Sequence, residues 1–337
     1  ADADVILMGD IDRGGVFASL YGSVMLQTPE DRQRIKGIII NKFRGDLRLF
    51  EDGRRMIEEL CQVPVLGVVP YLEDIGVEDE DSVVLDKKQR SAKDDKVNVA
   101  VVKLRHLSNF TDFNAIEQDH RLNVYYTTEK EQLLRADIII LPGCKATIDD
   151  LRHLKEEGVA DTIREAHRQG KTIFGICRGY QMLGMSIDDP RKTEGDTIHI
   201  EGIGLLPMRT VMGEKKITCQ TEFTLATNSN DMCKDGVKMR GYEIHQGIST
   251  PIDKSTYKPL TIKADGTPDG CIADSHCMGT YLHGCLDNAA MVDYLIGKKN
   301  TESFDFAEYK EQHYNRLADH IRKHVDMAKV YEILKNT

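Results

Sequence analysis

The sequence predicts an α/β fold in which two parallel sheets follow one another along the chain. Short apolar runs of β-prone residues alternate with segments whose apolar residues recur at helical spacing. Strands separated by helices imply a parallel sheet, with ligands at the carboxyl ends of the strands. We therefore predict one domain over residues 1–90 and a second over residues 91–337, joined through a charged stretch without apolar periodicity. A length of 337 residues is enough for two hydrophobic cores.

The first domain has a nucleotide-site candidate at the end of its first predicted strand. Its predicted strands are residues 5–8, 37–40 and 65–69, and its predicted helices lie around residues 17–24 and 56–60. Asp10 follows the first strand, where an acid commonly reaches Mg²⁺ bound to nucleotide phosphates. Asp12 is the alternative ligand, and either carboxylate could instead cap the helix that follows.

The second domain repeats the alternation and then changes character. Its predicted strands are residues 97–104, 122–126, 137–141 and 172–176, with helices at residues 148–155 and 159–169. From Gly202 the pattern is one of strands and turns, ending in a strand at residues 278–282. After Met291 the chain is mostly helical, and we assign these C-terminal helices to the second domain.

One cysteine lies between a predicted strand and a predicted helix. Cys177 follows the apolar residues 172–176, and a strand-turn-helix elbow pushes a nucleophile out of the sheet to a helix N-terminus. The partial positive charge there favours thiolate over thiol. His283, at the end of a distant strand, could hold and shuttle the proton. The other seven cysteines are interpreted as inert core residues.

Composition restricts the partners of the protein. Asp and Glu number 55 against 45 Lys and Arg, and the net charge of −10 argues against nucleic acid, which requires a basic surface. No apolar run approaches the roughly 20 residues of a membrane span, so no membrane association is expected. The eight cysteines include no C-x-x-C pair, which favours a reduced, cytoplasmic setting.

The segments around Cys177 and His283 resemble the class I glutamine amidotransferases, in the branch fused to cobyrinate-type amide synthases. The similar stretches are residues 174–184, 279–284, 9–17, 41–46, 108–113, 141–143, 241–245 and 318–334. This resemblance spans essentially the whole chain. It implies a partial P-loop sheet of the dethiobiotin-synthetase type, followed by a flavodoxin-like class I amidotransferase domain.

The resemblance implies hydrolysis of the glutamine side-chain amide, without a cofactor. Cys177 would attack the amide carbon, His283 would protonate the departing ammonia, and water would release glutamate from the thioester. The oxyanion would need two N–H donors, one from the backbone of Arg178 and a second from Gly143. Gln181, on the first turn of the helix, would line the glutamine pocket or cap the helix.

The sequence departs from the family pattern after the histidine. Most members carry a glutamate two residues later, and Cys285 occupies that position here. Either a dyad suffices or another residue supplies the acid, and Glu243 is the candidate, with an exposed strand residue as the alternative. Because Cys144 and Cys285 adjoin the predicted site, we also expect a sulfur-rich pocket that is sensitive to oxidation.

For the first domain, the resemblance implies that ATP and Mg²⁺ activate substrate carboxylates for attack by ammonia. Asn41 resembles the adenine-reading asparagine of dethiobiotin-synthetase-like domains. The acceptor would be an adenosylated corrinoid, a polycarboxylate, amidated at peripheral carboxylates during cobalamin biosynthesis. Because the chain and this substrate are both anionic, local cations must bind the substrate. The candidates are Arg13, Lys42, Arg44 and Arg48. These residues could equally form a solvated basic rim.

The phosphate-binding loop expected of such a domain is missing from the sequence. No G-x-x-x-x-G-K-[ST] motif is present, so we expect a C-terminal fragment that hydrolyses glutamine and not ATP. Three alternative functions stay open. They are the sister enzyme that makes an a,c-diamide, a stand-alone cysteine hydrolase, and a MinD-like regulatory ATPase fused to an inactive amidotransferase.

Overall fold

The computed structural model describes residues 3–73, 75, 91–213, 215–226, 236–297 and 303–335. Its strands are β1 (Val5–Asp10), β2 (Ile35–Phe43), β3 (Val65–Pro70), β4 (Val97–Val102), β5 (Leu122–Thr127), β6 (Ile138–Leu141), β7 (Thr172–Ile176), β8 (Ser186–Asp188), β9 (His199–Glu201), β10 (Met208–Val211), β11 (Ile217–Leu225), β12 (Met239–His245), β13 (Ile248–Pro251), β14 (Thr261–Lys263), β15 (Pro268–Asp269), β16 (Cys271–Asp274), β17 (Cys277–Thr280) and β18 (Leu282–His283). Its helices are α1 (Val16–Met25), α2 (Pro29–Gln33), α3 (Glu51–Cys61), α4 (Asn114–Gln118), α5 (Lys130–Arg135), α6 (Thr147–Glu156), α7 (Val159–Arg168), α8 (Arg178–Leu183), α9 (Ala289–Ile296), α10 (Phe306–His324) and α11 (Met327–Lys335). Residues 78–90 of the charged stretch predicted to join the domains lie outside the described residues.

The first compact unit comprises residues 1–77 and 308–337. Its parallel sheet has the order β1-β2-β3, and the predicted α/β alternation is confirmed there. Apolar residues of α1 and α3 are buried on the sheet, and they include Val16, Leu20, Val24 and Ile57. Since β1 and β2 run parallel in register, Asp10 pairs with Asn41 at the carboxyl edge.

Helix α11 and α10 from Glu308 onward belong to this first unit, whereas the sequence assigns them to the second domain. Val325 forms an antiparallel bridge to Gly67, and the N–H of Asp326 donates to the carbonyl of Leu66 at 2.8 Å. A Cβ on Gly67 would collide with the carbonyl oxygen of His324, so glycine is required for this close approach. Apolar residues of α10 and α11, among them Ile321 and Val330, thus pack in one cluster with β3, a partner that their spacing in the sequence could not identify.

The second unit, residues 78–307, contains a six-stranded sheet. Its order is β16-β17-β7-β6-β4-β5, and every pairing is parallel except β16 with β17. The central strands β4, β6 and β7 are apolar and buried, as expected where helices cover both faces. A five-stranded sheet, β15-β14-β11-β12-β18, and a four-stranded sheet, β13-β10-β8-β9, complete the unit.

The strand order brings distant parts of the sequence to one edge. Strands β6 and β7 are parallel neighbours, with Leu141 opposite Gly175, so the residues that follow them leave the sheet side by side. Strand β17 lies on the other side of β7 and leads into β18. Strand β18 pairs with β12, where Tyr242 lies opposite His283. Parallel order therefore delivers the nucleophile and the histidine to the same place.

Candidate active site

Cys177 lies at a sharp bend between β7 and α8. Its backbone has φ 53° and ψ −107°, a conformation that costs a non-glycine residue of the order of 1–3 kcal/mol. Glycines on either side allow the bend: a Cβ on Gly179 would collide with the carbonyl of Leu141, and one on Gly175 would lie 2.7 Å from the Cα of Tyr180. The strand-turn-helix elbow predicted from the sequence is present, and close packing on both sides holds it in this strained conformation.

The imidazole of His283 is buried against a carboxylate. His283 is 1% exposed, and its Nδ1 lies 2.6 Å from Oδ2 of Asp112. The second oxygen of Asp112 accepts the backbone N–H of Gly284 at 2.8 Å. The ring of Tyr242 lies nearly parallel to the imidazole, 5.2 Å away between centroids. The contact with Asp112 and the stacked ring of Tyr242 together fix the orientation of the imidazole.

The electrostatics of His283 favour the imidazolium. Burial acts to lower the pKa of His283, but the hydrogen bonds and charges of Asp112 and Cys177 outweigh it and raise this pKa to about 10. The thiol of Cys177 also lies 3.7 Å from the carbonyl oxygen of Ile244. A protonated imidazole beside a cysteine stabilises the thiolate, which is the nucleophilic form.

The structure does not bring Glu243, the predicted third acid, to the imidazole. The Glu243 carboxylate accepts hydrogen bonds from Lys263 at 3.1 and 3.2 Å and from the Cys219 thiol at 3.4 Å. Side chains alternate across a strand, and on β12 it is Tyr242 that faces His283. Glu243 therefore points to the other face of the strand, where it is buried rather than exposed. The carboxylate at the imidazole is that of Asp112.

The position of Asp112 explains why it had no role in the prediction. It lies in a 3₁₀ turn at Phe110–Phe113, 171 residues before the histidine that it contacts. Spacing carries no signal over such a distance. The only available indication was the stretch of residues 108–113, which resembles the family but was assigned no chemistry.

Two further predicted residues lie next to Cys177 and His283. Gly143 follows β6, and a Cβ on it would lie 3.1 Å from Cε1 of His283. The guanidinium of Arg178 forms an ion pair with Glu194 and donates to Thr147 Oγ1 at 2.6 Å. The side chain of Arg178 is thereby held away from the nucleophile, and its backbone N–H opens α8 directly after Cys177.

Gln181 is buried close to the nucleophile. Its Nε2 donates to the carbonyl of Gln246 at 2.8 Å and to the hydroxyl of Tyr281 at 3.1 Å. Its Oε1 is buried and has no hydrogen-bond partner among the described residues. A buried acceptor without a partner is costly, so this oxygen is suited to a donor group on a ligand. The alternative interpretation, a helix cap, is not what these hydrogen bonds show.

The neighbouring cysteines do not form the oxidation-sensitive pocket expected from the sequence. Cys144 is 4% exposed and Cys285 is fully buried. Burial, reinforced by nearby carboxylates, raises the pKa of both thiols well above the usual value. Oxidation follows thiolate character and exposure, and these two residues have neither.

In the first unit, the structure brings Asp10 and Asn41 together at the carboxyl edge of the sheet. Oδ2 of Asp10 is 2.9 Å from Nζ of Lys42, and this hydrogen bond is the main cause that lowers the pKa of Asp10. Oδ1 of Asn41 accepts the backbone N–H of Lys42 at 2.9 Å. Asp10 is therefore an ionised carboxylate with part of its surface open to solvent.

The predicted basic cluster of this unit is already paired with carboxylates, and its four cations share three of them. Each of its four members faces an acid, in the pairs Arg13–Asp10 (3.7 Å), Lys42–Asp10 (2.9 Å), Arg44–Asp12 (2.6 Å) and Arg48–Asp46 (2.6 Å). An anionic substrate would have to compete with these acids for the same cations. Within the described ranges, no group of three or more His, Cys, Asp or Glu side chains is arranged to hold a metal ion. Nor does that part of the chain contain a helix long and apolar enough to cross a membrane.

Replacing Glu243 by glutamine is expected to affect stability and its dependence on pH. His245 and Lys263 lower the pKa of Glu243 from 4.5 to about 2, against the opposing effect of burial. The corresponding stabilisation is present above pH 4.5 and is lost as the pH falls towards 2; at pH 7 it amounts to about 3 kcal/mol. Urea denaturation should show the variant less stable by about this amount at pH 7, and the difference should shrink at pH 3. A difference independent of pH would contradict the assignment.

Comparison with known proteins matches both units. The CobB/CobQ-like glutamine amidotransferase domain matches residues 98–291, and the CobQ/CobB/MinD/ParA nucleotide binding domain matches residues 4–83. One solved structure, that of PurLQS from Thermotoga maritima, gives a TM-score of 0.46 at 20% identity, over 60% of this chain and 98% of that one. The two domain matches define the class of protein, an amide-forming ligase that combines a nucleotide-binding domain with a glutamine amidotransferase domain.

Whole-chain relatives identify the family within that class. Cobyric acid synthase of Phocaeicola vulgatus is 51% identical over 99% of this chain and 67% of its own length. The cobyric acid synthase of Bacteroides fragilis is 52% identical over the same shares, and that of Parabacteroides distasonis is 47% identical over 100% of this chain and 68% of its own. The chain belongs to the cobyric acid synthase family, and it spans about two thirds of the length of these relatives.

Proposed function

We propose that this chain releases ammonia from glutamine at Cys177 for the ATP-dependent amidation of corrinoid carboxylates in cobalamin biosynthesis. The observation that carries the proposal is the buried contact of Asp112 with His283, beside a cysteine held at a strained elbow. Membership of the cobyric acid synthase family supplies the acceptor, a corrinoid polycarboxylate. The same membership favours this reaction over the a,c-diamide synthase, a free-standing hydrolase or a regulatory module.

The catalytic steps use Cys177 as the nucleophile and the imidazolium of His283 as the acid. The Cys177 thiolate attacks the side-chain carbonyl carbon of glutamine and forms a tetrahedral intermediate. His283, as imidazolium, gives its Nε2 proton to the departing nitrogen, and ammonia leaves as the thioester forms. The imidazole then takes a proton from water, which attacks the thioester and releases glutamate. Asp112 accepts from Nδ1 throughout, so it keeps the ring oriented and stabilises its charge.

The surrounding groups stabilise the oxyanion and hold the substrate. The backbone N–H of Arg178 and an N–H of the turn at Gly143 serve the oxyanion; each such donor is worth roughly 3 kcal/mol. The free Oε1 of Gln181 accepts from the α-ammonium group of glutamine. Cys177, His283 and Gln181 are each at most 3% exposed, so glutamine is bound out of contact with bulk water.

The experiment that tests the glutaminase is incubation of the protein with isotopically labelled glutamine. We expect release of ammonia and glutamate, and a glutamyl adduct on a tryptic peptide containing Cys177 after acid quenching. Protein that releases no ammonia and forms no adduct would overturn the proposal. Cleavage of esters or peptides, without adduct formation from glutamine, would assign the site to the cysteine hydrolases.

For the first unit we propose a nucleotide site at the carboxyl edge of its sheet. The ionised, partly exposed carboxylate of Asp10 fits Mg²⁺, which typically takes one or two protein carboxylates together with phosphate oxygens. Asn41, next to it in register, fits the nucleotide base through its side-chain amide. When bound, ATP would supply the phosphate that activates a carboxylate for attack by ammonia.

Replacing Asp10 by asparagine should weaken Mg²⁺-ATP binding more than Mg²⁺-free ATP binding. The variant loses the charge that faces the metal and keeps the size of the side chain. Titration with a fluorescent ATP analogue, with Mg²⁺ and with EDTA, measures both affinities, and a loss of about tenfold is expected with Mg²⁺. Equal losses under the two conditions would contradict a metal-linked role. Asp46→Asn, on an acid paired with an exposed arginine, is the matched control.

A further inference from the structure

One short segment contacts both halves of the catalytic machinery. Residues 106–112 run from the end of the β4 connection to the 3₁₀ turn that carries Asp112. At the far end, Asp112 and the side-chain amide of Asn109 lie 2.6 and 3.0 Å from Nδ1 of His283. At the near end, residues 106–108 pair with the turn that follows β6, where the oxyanion donor was predicted. A change in this segment can therefore affect the site through His283 and through the turn after β6.

The near-end pairing fixes the orientation of one peptide group. The N–H of Ser108 donates to the carbonyl of Gly143 at 3.1 Å, and the N–H of Lys145 donates to the carbonyl of His106 at 2.9 Å. In a trans peptide the C=O and the following N–H point in opposite directions. Because the Gly143 carbonyl faces Ser108, the N–H of Cys144 points away from residues 106–108.

The order of the sheet tells which way that N–H points. Strand β6 lies between β4 and β7. Residues 106–108 continue from the β4 side, whereas Cys177 follows β7. An N–H on the turn after β6 that points away from residues 106–108 is therefore directed towards the β7 side, where the nucleophile lies. This is the direction required of an oxyanion donor.

The side chain of His106 anchors the pairing from outside the site. Its Nδ1 lies 3.0 Å from Oδ1 of Asp150, a carboxylate whose side chain is fully buried in α6. Helix α6 begins directly after the turn, at Thr147. The His106 ring is itself nearly half exposed, and the mechanism makes no use of it. The turn is thus held between α6, which follows it, and the backbone of residues 106–108. The contact of His106 with Asp150 joins α6 to residues 106–108.

We propose that His106 is a positioning residue for the glutaminase, acting through Asp150 to hold the Gly143–Cys144 peptide with the Cys144 N–H as second oxyanion donor. The inference rests on the proposed glutamine hydrolysis and adds which peptide serves the oxyanion and what orients it. Neither His106 nor Asp150 touches the reacting atoms. Their effect is on the tetrahedral intermediate and not on the nucleophile.

The test compares two reactions of the same cysteine in the variant His106→Ala. Glutamine hydrolysis passes through an oxyanion, whereas alkylation of Cys177 by iodoacetamide is a direct displacement that forms none. We expect kcat for glutamine to fall about tenfold, with KM within twofold and the alkylation rate unchanged. His106→Asn should restore most of kcat, because the asparagine amide nitrogen can take the place of Nδ1. Asp150→Ala should match His106→Ala, and the double variant should lose no more.

Each outcome decides the proposal. Unchanged kcat in His106→Ala, in protein whose parent hydrolyses glutamine, would overturn it. Parallel losses of hydrolysis and alkylation would also overturn it, because they indicate general disruption of the unit; the thermal unfolding midpoint would then fall as well. A parent protein that alkylates but does not hydrolyse glutamine would instead refute the proposed function, and this inference with it.

Discussion

Replacing Cys177 by alanine is expected to lower the rate of glutamine hydrolysis by at least about 10⁴-fold. The substitution removes the sulfur atom that would form the thioester, and the remaining oxyanion donors cannot supply a nucleophile. His283 and Asp112 stay in place in this variant. Without the thiol, His283 could act only as a general base on water, which is a poor substitute for the sulfur nucleophile. Ammonia release, measured with a coupled assay at saturating glutamine, reports the loss directly.

Two further variants separate chemistry from folding. Cys219→Ser removes an exposed thiol in the same unit and should keep full activity. Cys177→Gly should be as inactive as the alanine variant but more stable by about 1 kcal/mol, because glycine adopts the positive φ of the elbow without strain. Thermal unfolding compares the two. An alanine variant that retains a tenth of the parental rate would remove Cys177 from the mechanism.

The elbow was predictable because all of its determinants are local. An apolar strand, a glycine on each side of the cysteine and a helical stretch afterwards lie within residues 172–184. The histidine was predictable because it ends a strand in a stretch similar to the family. The three-stranded sheet and the parallel strands β4 to β7 of the six-stranded sheet follow from the alternation of strand and helix, which is a local pattern.

Other features depend on partners that no local pattern names. The pattern after Met291 predicts helices, and it is the bridge between Val325 and Gly67 that places α10 and α11 at β3. The basic residues of the first unit are visible in the sequence as charges, but the pairs Lys42–Asp10 and Arg44–Asp12 depend on the register of β1 and β2. Glu243 lies in a stretch that resembles the family, which made it the candidate acid. In the structure its neighbour Tyr242 faces His283, so the side chain of Glu243 lies on the opposite face of β12.

The sequence predicts Glu243 as the acid that orients His283, whereas the structure places Asp112 there, and the two assignments predict different rates of glutamine hydrolysis. Asp112→Asn is expected to lower glutamine hydrolysis by roughly 10²–10⁴-fold, because the amide neither stabilises the imidazolium nor enforces the same tautomer. Glu243→Gln, the matched control, also replaces a buried carboxylate by its amide, at the residue predicted from the sequence. It should reduce stability but leave kcat within about threefold of the parent. The reverse result, with Glu243 essential and Asp112 dispensable, would contradict the structure.

The pH profile shows whether Asp112 acts through the imidazole. The hydrogen bond and charge of Asp112, together with Cys177, raise the pKa of His283 to about 10 against the opposing effect of burial. Without the carboxylate the pKa of His283 falls, so the imidazolium that protonates the leaving ammonia is lost at lower pH. The alkaline limb of kcat/KM should therefore move to lower pH in Asp112→Asn and stay in place in Glu243→Gln.

The free energy of unfolding should depend on pH through the same histidine. A raised histidine pKa stabilises the fold fully below pH 6.5 and progressively less up to about pH 10, and Asp112→Asn should flatten that dependence. A variant that is slower at every pH by the same factor would mean that Asp112 only supports the backbone at Gly284.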